Sequence, residues 1–266
     1  MQNVEFVHLR VHSDFSMSDG LNKVKPILEK AKSLNMPAIA ITDQMNMCGL
    51  VKYYGSAHGI GLKPIIGADF WVINAEADDE QITRLSLLAS NNKGYKNITL
   101  LISRAYQRGH IKGRSVIDMQ WLADHADGII VLSGAKDGEL GMALKKGNHA
   151  QAHEATEFFK QHFPDNFYIE LHRTGRPGEE DYLHSAVAWA EEHELPVVAT
   201  NEVVFNNAED FGAHEIRVCI HDGFTLEDSR RPKIYSEQQF MRSAGEMQEL
   251  FSDIPEAITN TVEIAK

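Results

Sequence analysis

The residues best suited to chemistry are crowded near the start of the chain. His8, Arg10 and His12 alternate in Val7-His-Leu-Arg-Val-His-Ser13-Asp14, and Asp19-Gly20 follows. The stretch 7–14 predicts a β-strand running into a polar loop. Side chains alternate faces along a strand, so the spacing puts His8, Arg10 and His12 on one side and Leu9 and Val11 on the other. Two imidazoles and a guanidinium are costly to bury without partners. A single histidine would read as a hydrogen-bonded core residue. A row of three, followed by Ser13 and Asp19, points to a site or to the remnant of one.

Further acids and imidazoles recur where other predicted strands end. A short apolar run at 38–42 stops at Asp43 and Gln44, and the strand predicted over 63–70 contains Asp69. The strand at 167–171 carries Glu170 with His172 after it, and the strand at 196–200 leads to Glu202. Taken singly, each has an ordinary explanation: Asp43 as a helix cap, Asp69 as the partner of an arginine. Carboxylates and imidazoles converging from several strands are how a metal cluster is built. His149 and His153 lie four apart on the helix predicted over 149–162, but no third ligand accompanies them, and a solvated helix face is the better reading.

The positioning elements follow from periodicity. Apolar residues at helical spacing predict helices over 26–34, 50–57, 95–106, 149–162 and 182–193. Continuous apolar runs predict further strands at 85–89 and 128–133, and the acidic segment 76–81 reads as an exposed loop or hairpin tip. Alternating strand and helix units argue for a parallel sheet, with a closed barrel as its natural form. The tail differs: a helix over 211–220, a turn at 221–223, an exposed basic loop at 229–232, and a last helix with Pro255 in its first turn. That helix has no stop signal, which suggests a piece of a longer chain. The expected division is a barrel over 1–208 and a helical extension over 209–266.

Composition narrows the function. A net charge of -12 argues against a stand-alone DNA-binding domain, since phosphate neutralisation dominates such affinity. Two cysteines, Cys48 and Cys219, match neither a disulfide framework nor a cysteine-rich zinc site. A cytoplasmic protein is expected, with no secretory signal and no membrane span.

His8-Leu-Arg-Val-His-Ser with Asp19-Gly20, Ile41-Thr-Asp43 with Asn46 and Gly49, and Ala199-Thr-Asn201-Glu-Val resemble the motifs of PHP (polymerase and histidinol phosphatase) domains. Ala213-His-Glu-Ile216, Ile220-His-Asp-Gly223 and the ending from Pro255 resemble the N-terminal part of bacterial DNA polymerase III α subunits. The resemblance covers essentially the whole chain. It implies a distorted seven-stranded (β/α) barrel, TIM-like, that holds up to three metal ions in intact members. It also implies a parent DNA-directed DNA polymerase whose polymerase site lies outside this chain.

The departures from the family pattern bear on the site. Arg10 stands where the family's first metal-binding His belongs, Gln44 stands for the His of Thr-Asp-His-Gly, and Ala135 and Val204 replace further ligands. His12, Asp19, Asp69 and Glu202 remain as candidate metal ligands, with His110 as the expected counterpart of a further family His. Arginine stays protonated and cannot ligate a metal. The expected vestigial cleft therefore comprises Arg10, His12, Asp19, Asp43, Gln44, Asp69 and Glu202, with the Arg10 guanidinium in place of a lost cation. No bound cofactor is expected; any divalent metal (Zn, Mn or Mg) would be at partial occupancy. The resemblance implies a scaffold that docks a 3′–5′ proofreading exonuclease subunit and the rest of a polymerase α chain, with DNA met only through domains outside this chain. The alternative is a residual metal-dependent phosphoesterase, acting as a 3′–5′ exonuclease or a pyrophosphatase.

Overall fold

A computed structural model describes residues 5–74 and 81–266. The acidic segment expected as a loop at 76–81 lies, apart from Gln81, outside the described residues. One curled, barrel-like sheet is wrapped by helices. Its strands are β1 (Ala38–Ile41), β2 (Lys63–Ile73) and β3 (Thr83–Ala89), then, beyond a small hairpin of β4 (His110–Ile111) and β5 (Arg114–Ser115), β6 (Ile117–Asp118), β7 (Ile129–Leu132), β8 (Phe167–Leu171) and β9 (Val197–Ala199). They lie in the order β1-β2-β3-β7-β8-β9, with β6 on the far end of β2.

The sheet is mixed, which corrects the expectation of a parallel one. β3 runs antiparallel to both β2 and β7, and the other neighbours are parallel. Only residues 74–82 separate β2 from β3, too few for the helical crossover that a parallel pair requires. The reversal has a chemical consequence. Residues near the start of β3, not its end, stand level with the C-terminal ends of the parallel strands.

The N-terminal segment closes the sheet. It takes hydrogen bonds from β1 (Ala40 N to His8 O and Thr42 N to Val11 O, each 2.8 Å) and exchanges others with the chain after β9 (His12 N to Val203 O, 2.8 Å; Val203 N to Arg10 O, 3.1 Å). It is extended but is not the regular strand expected over 7–14; a single parallel bridge pairs Val11 with Val203. Side-chain hydroxyls replace ladder partners here: Thr261 Oγ1 accepts from Val7 N and Thr42 Oγ1 from Val11 N.

The alternation of faces also slips by one residue. Val7 and Leu9 belong to the barrel's inner apolar layer with Ala38, Ala40, Ile65, Leu88, Leu132 and Val198. Val11 instead joins Phe6 in the layer between sheet and helices. Leu9 and Arg10 thus both face inward. His8 faces away, packs edge-on against Phe6, and bonds through Nε2 to Arg242 O at 2.9 Å. The expected row of three is therefore a pair, Arg10 and His12.

The outer layer is built from α1 (Val24–Ser33), α2 (Leu50–Gly59), α3 (Asn92–Arg108), α4 (Met119–Ala123), α5 (Glu139–Lys145), α6 (His149–His162) and α7 (Glu179–His193). The apolar stripe of α1 (Val24, Ile27, Leu28, Ala31) recurs at three- and four-residue steps and is buried against the sheet. α3 starts at an Asn91 cap whose side chain accepts from Lys93 N and Gly94 N. Gly94 in its first turn is needed for close approach, since a Cβ there would lie 1.7 Å from Gly128 O.

Beyond β9 come α8 (Phe211–Asp222), α9 (Ala244–Leu250) and α10 (Pro255–Ala265). This segment folds back on the barrel. Ile254, Ala257 and Ile258 enter the outer core, and Asn260 Nδ2 donates to Val197 O at 2.8 Å. Residues 235–240 cross the mouth of the barrel as a strap. Asn201 Nδ2 donates to Gln238 O (2.8 Å) and Phe240 O (2.7 Å), and Ser236 Oγ donates to Thr174 O. Among the described residues no helix is long and apolar enough to cross a membrane.

Candidate functional site

Above the inner apolar layer, the barrel mouth is filled by buried charge. Arg10, 1% exposed, is at its centre. Its Nε donates to Asp69 Oδ2 at 2.7 Å, and its Nη1 lies 3.4 Å from both oxygens of Glu170. Its Nη2 is 3.1 Å from Glu202 Oε1, close enough for ion pairing though out of line for a hydrogen bond. One guanidinium therefore faces three carboxylates from three parts of the sheet, which matches its fork of donors. Burial opposes the Arg10 charge, but Asp69, Glu202 and Glu170 outweigh it and hold its pKa well above the usual arginine value.

Two more arginines complete the network, and sequence reasoning missed both. Arg84 Nη1 donates to Glu202 Oε1 at 2.6 Å, and its Nη2 reaches Gln44 Oε1 (3.2 Å) and Asp69 Oδ2 (3.3 Å). Arg84 comes from the start of β3, and only the reversal of that strand brings it here. The alternation Arg84, Ser86, Leu88 against Leu85, Leu87 was the available signal for an inward polar row. Arg176, from the loop after β8, pairs with Glu202 Oε2 at 2.7 Å and Glu179 Oε1 at 2.8 Å. Gln239 on the strap adds an Nε2 donor to Glu202 Oε2 at 3.1 Å. Burial would raise Glu202, but Arg10, Arg176 and Arg84 hold it well below the carboxylate range.

The two histidines of the site differ in protonation. His12 lies between two carboxylates, with Nδ1 2.8 Å from Asp19 Oδ1 and Nε2 3.0 Å from Asp69 Oδ2. Both nitrogens must donate, so the ring is an imidazolium. Burial lowers its pKa, but Asp19 and Asp69 prevail and raise it to about 10. His172 lies between unlike partners: Arg176 Nη2 donates to Nδ1 at 3.0 Å, and Nε2–H donates to Glu170 Oε1 at 3.0 Å. That arrangement selects the neutral Nε2–H tautomer.

The remaining carboxylates are also engaged. Asp19 is burdened by burial but held low by His12, with Ser16 Oγ (2.7 Å) and Tyr235 Oη (3.1 Å) as further donors. Asp69 takes Ser86 Oγ on Oδ1 at 2.5 Å and is lowered by Arg10 and His12 against its burial. Glu170 is lowered against its burial by Arg10 and by the hydrogen bond it accepts from His172 Nε2, and Thr200 Oγ1 donates to it. Asp43 stands apart from the arginines and accepts from Ser13 N (2.6 Å) and Oγ (2.8 Å). Its burial outweighs these donors and raises it to about 6.

Arg10, His12, Asp19, Gln44, Asp69 and Glu202 thus come together, with Asp43 bracing the adjoining loop. Ala135 and Val204 are buried and offer no ligand atom. His110 is exposed on the β4–β5 hairpin. His149 and His153 are exposed on α6, His149 stacked on Trp189 and His153 edge-on to His193. Tyr235 and Gln239 were also missed, because nothing local in the tail marks a strap that crosses a barrel mouth.

The molecule is a curled α/β barrel with a buried polar cluster at its strand ends. The PHP domain sequence model matches residues 8–174, well over half of the chain, and the chain belongs to that family. It is 61% identical over its full length to the DNA polymerase III subunit alpha of Vibrio cholerae and 58% identical to that of Escherichia coli K12. In both cases the match covers 23% of the longer protein, so the chain spans under a quarter of these curated relatives. Among solved structures, an amidohydrolase from Chromobacterium violaceum is similar over 73% of this chain and 86% of that one, with 12% identity and a TM-score of 0.44.

Proposed function

We propose that this chain is the N-terminal PHP unit of a replicative, cytoplasmic DNA polymerase, and that its former metal site is now a structural ion network. The observation that carries the reading is Arg10. A divalent cation needs free carboxylate and imidazole lone pairs converging at about 2.0–2.2 Å. Here the oxygens of Asp69, Glu170 and Glu202 are taken by guanidinium, hydroxyl and imidazole donors, and both nitrogens of His12 donate. Four internal cations, Arg10, Arg84, Arg176 and His12, lie among Asp19, Asp69, Glu170, Glu179 and Glu202. The donor set does not fit a metal cluster, and no hydrolytic step is assigned to it.

The barrel over 1–208 would then serve as scaffold, with residues 209–266 leading toward the rest of an α chain. Docking of a proofreading exonuclease subunit is part of the same reading; its support is the likeness to polymerase III α subunits. Metal content and thermal midpoint of the purified chain test the central claim. No stoichiometric zinc or manganese is expected, nor any shift in midpoint with those ions or with chelator. Stoichiometric metal together with phosphoesterase turnover would establish the alternative, a residual metal-dependent 3′–5′ exonuclease or pyrophosphatase. Calorimetry with the exonuclease subunit tests the docking.

A further inference from the structure

Charge is strongly segregated along this chain. Residues 91–117 carry Lys93, Lys96, Arg104, Arg108, Lys112 and Arg114 and no Asp or Glu. Six positive charges within a chain of net -12 leave -18 for everything else. The basic stretch is one structural unit, α3 followed by the β4–β5 hairpin.

Its cations are on the surface. Lys93, Lys96, Arg108, Lys112 and Arg114 are all exposed, and among the described residues no carboxylate pairs with Lys93, Lys96, Arg108 or Lys112. Lys93, Lys96, Arg104 and Arg108 recur at helical steps and so share a stripe along α3. A helix of 17 residues is about 25 Å long, the reach of several successive phosphates on one strand. Tyr95 (39% exposed) and Tyr106 (54% exposed) are three turns apart on the opposite flank of the same helix. The far end is held in place: Arg104 lies over Trp121 and Arg114 over Trp71, each at 4.2 Å. The other neighbour of Trp71 is Arg84, 5.0 Å from its ring, so the basic surface reaches the rim of the barrel mouth.

We propose that α3 and the β4–β5 hairpin form an accessory contact for the phosphodiester backbone of a nucleic acid strand. A cationic row without carboxylate partners among the described residues suits phosphates, and the exposed tyrosines on the other flank of the helix offer rings for unpaired bases. The net charge of -18 on the rest of the chain opposes a polyanion and keeps the contact weak. This goes beyond the function proposed above, which leaves nucleic acid to other parts of a longer chain, and it does not depend on the state of the barrel mouth.

Fluorescence anisotropy of short labelled oligonucleotides, single-stranded and duplex, titrated with the 266-residue chain at several salt concentrations is the test. Weak binding at low salt is expected. The triple variant K96E/R108E/K112E should weaken it by at least tenfold and reduce the slope of log affinity against log salt by about 2 for single strands, at roughly 0.7 per phosphate contact. The charge-matched variant K23E/K25E/K32E, at the exposed start and end of α1, should retain binding. Y95A/Y106A should weaken single-stranded binding more than duplex binding. If the first variant melts early, K96Q/R108Q/K112Q replaces it. Absence of binding by the unaltered chain at low salt would overturn the proposal, as would equal loss in the α1 variant. Competition by polyglutamate as effective as that by oligonucleotide would assign the face to an acidic protein instead.

Discussion

Arg10 is the centre of the buried charge network. It has no exposed surface to speak of, and three carboxylates surround it. Removing one member of such a buried set typically costs about 3–5 kcal/mol, because the charges left behind lose their compensation. Arg10→Ala is expected to lower unfolding free energy by that order in denaturant titration. Arg10→Lys should recover little, since an ammonium cannot serve three carboxylates in one plane. His12 makes a second prediction at this scale. Its pKa rises from 6.5 unfolded to about 10 folded. The folded state therefore holds a proton that the unfolded state releases as pH passes 6.5. The stability this gives is complete below pH 6.5 and is lost as pH climbs to about 10. His12→Gln should flatten the stability profile across that window; a variant whose alkaline slope matches the parent would refute the imidazolium assignment. Asp19, Glu170 and Glu202, held low, contribute in the opposite sense, and their share is lost as pH falls into the acid range.

Among elements, the N-terminal segment and α10 depend on each other. Val7 N has Thr261 Oγ1 as its partner, and both residues are buried. Thr261→Val keeps the shape and removes the acceptor, leaving a buried N–H unpaired at a cost of about 1–3 kcal/mol. Hydrogen exchange at Val7 should quicken in that variant, together with the drop in thermal midpoint. The antiparallel β3 is the other decisive element. Had it run parallel, Arg84 would sit at the opposite end of the barrel, and Glu202 would lose its 2.6 Å partner.

At the scale of the whole molecule, charge is sorted rather than scattered: paired cations and carboxylates are buried at the mouth, and α3 with its hairpin carries six cations and no carboxylate in a chain of net -12. The buried carboxylates are committed to internal partners. The 266-residue chain is therefore expected to show no primer extension with template, nucleotides and magnesium; measurable extension would refute the scaffold reading. Much of this organisation was legible in the residues. Apolar periodicity placed every long helix and all the main strands, because burial of one face leaves a local signature. The motifs at strand ends marked Arg10, His12, Asp19, Asp69 and Glu202 as one cluster, and the departures at Gln44, Ala135 and Val204 were readable only against the family's motif pattern. What the sequence could not determine was set by contacts between distant segments. The direction of β3, the slip of alternation that turns Arg10 inward and His8 away, the arrival of Arg84 and Arg176 at Glu202, and the strap bearing Tyr235 and Gln239 all depend on which chain lies beside which. A side chain's charge can be read from its own identity, but its partners are fixed only when the folded backbone brings remote residues within a few ångströms.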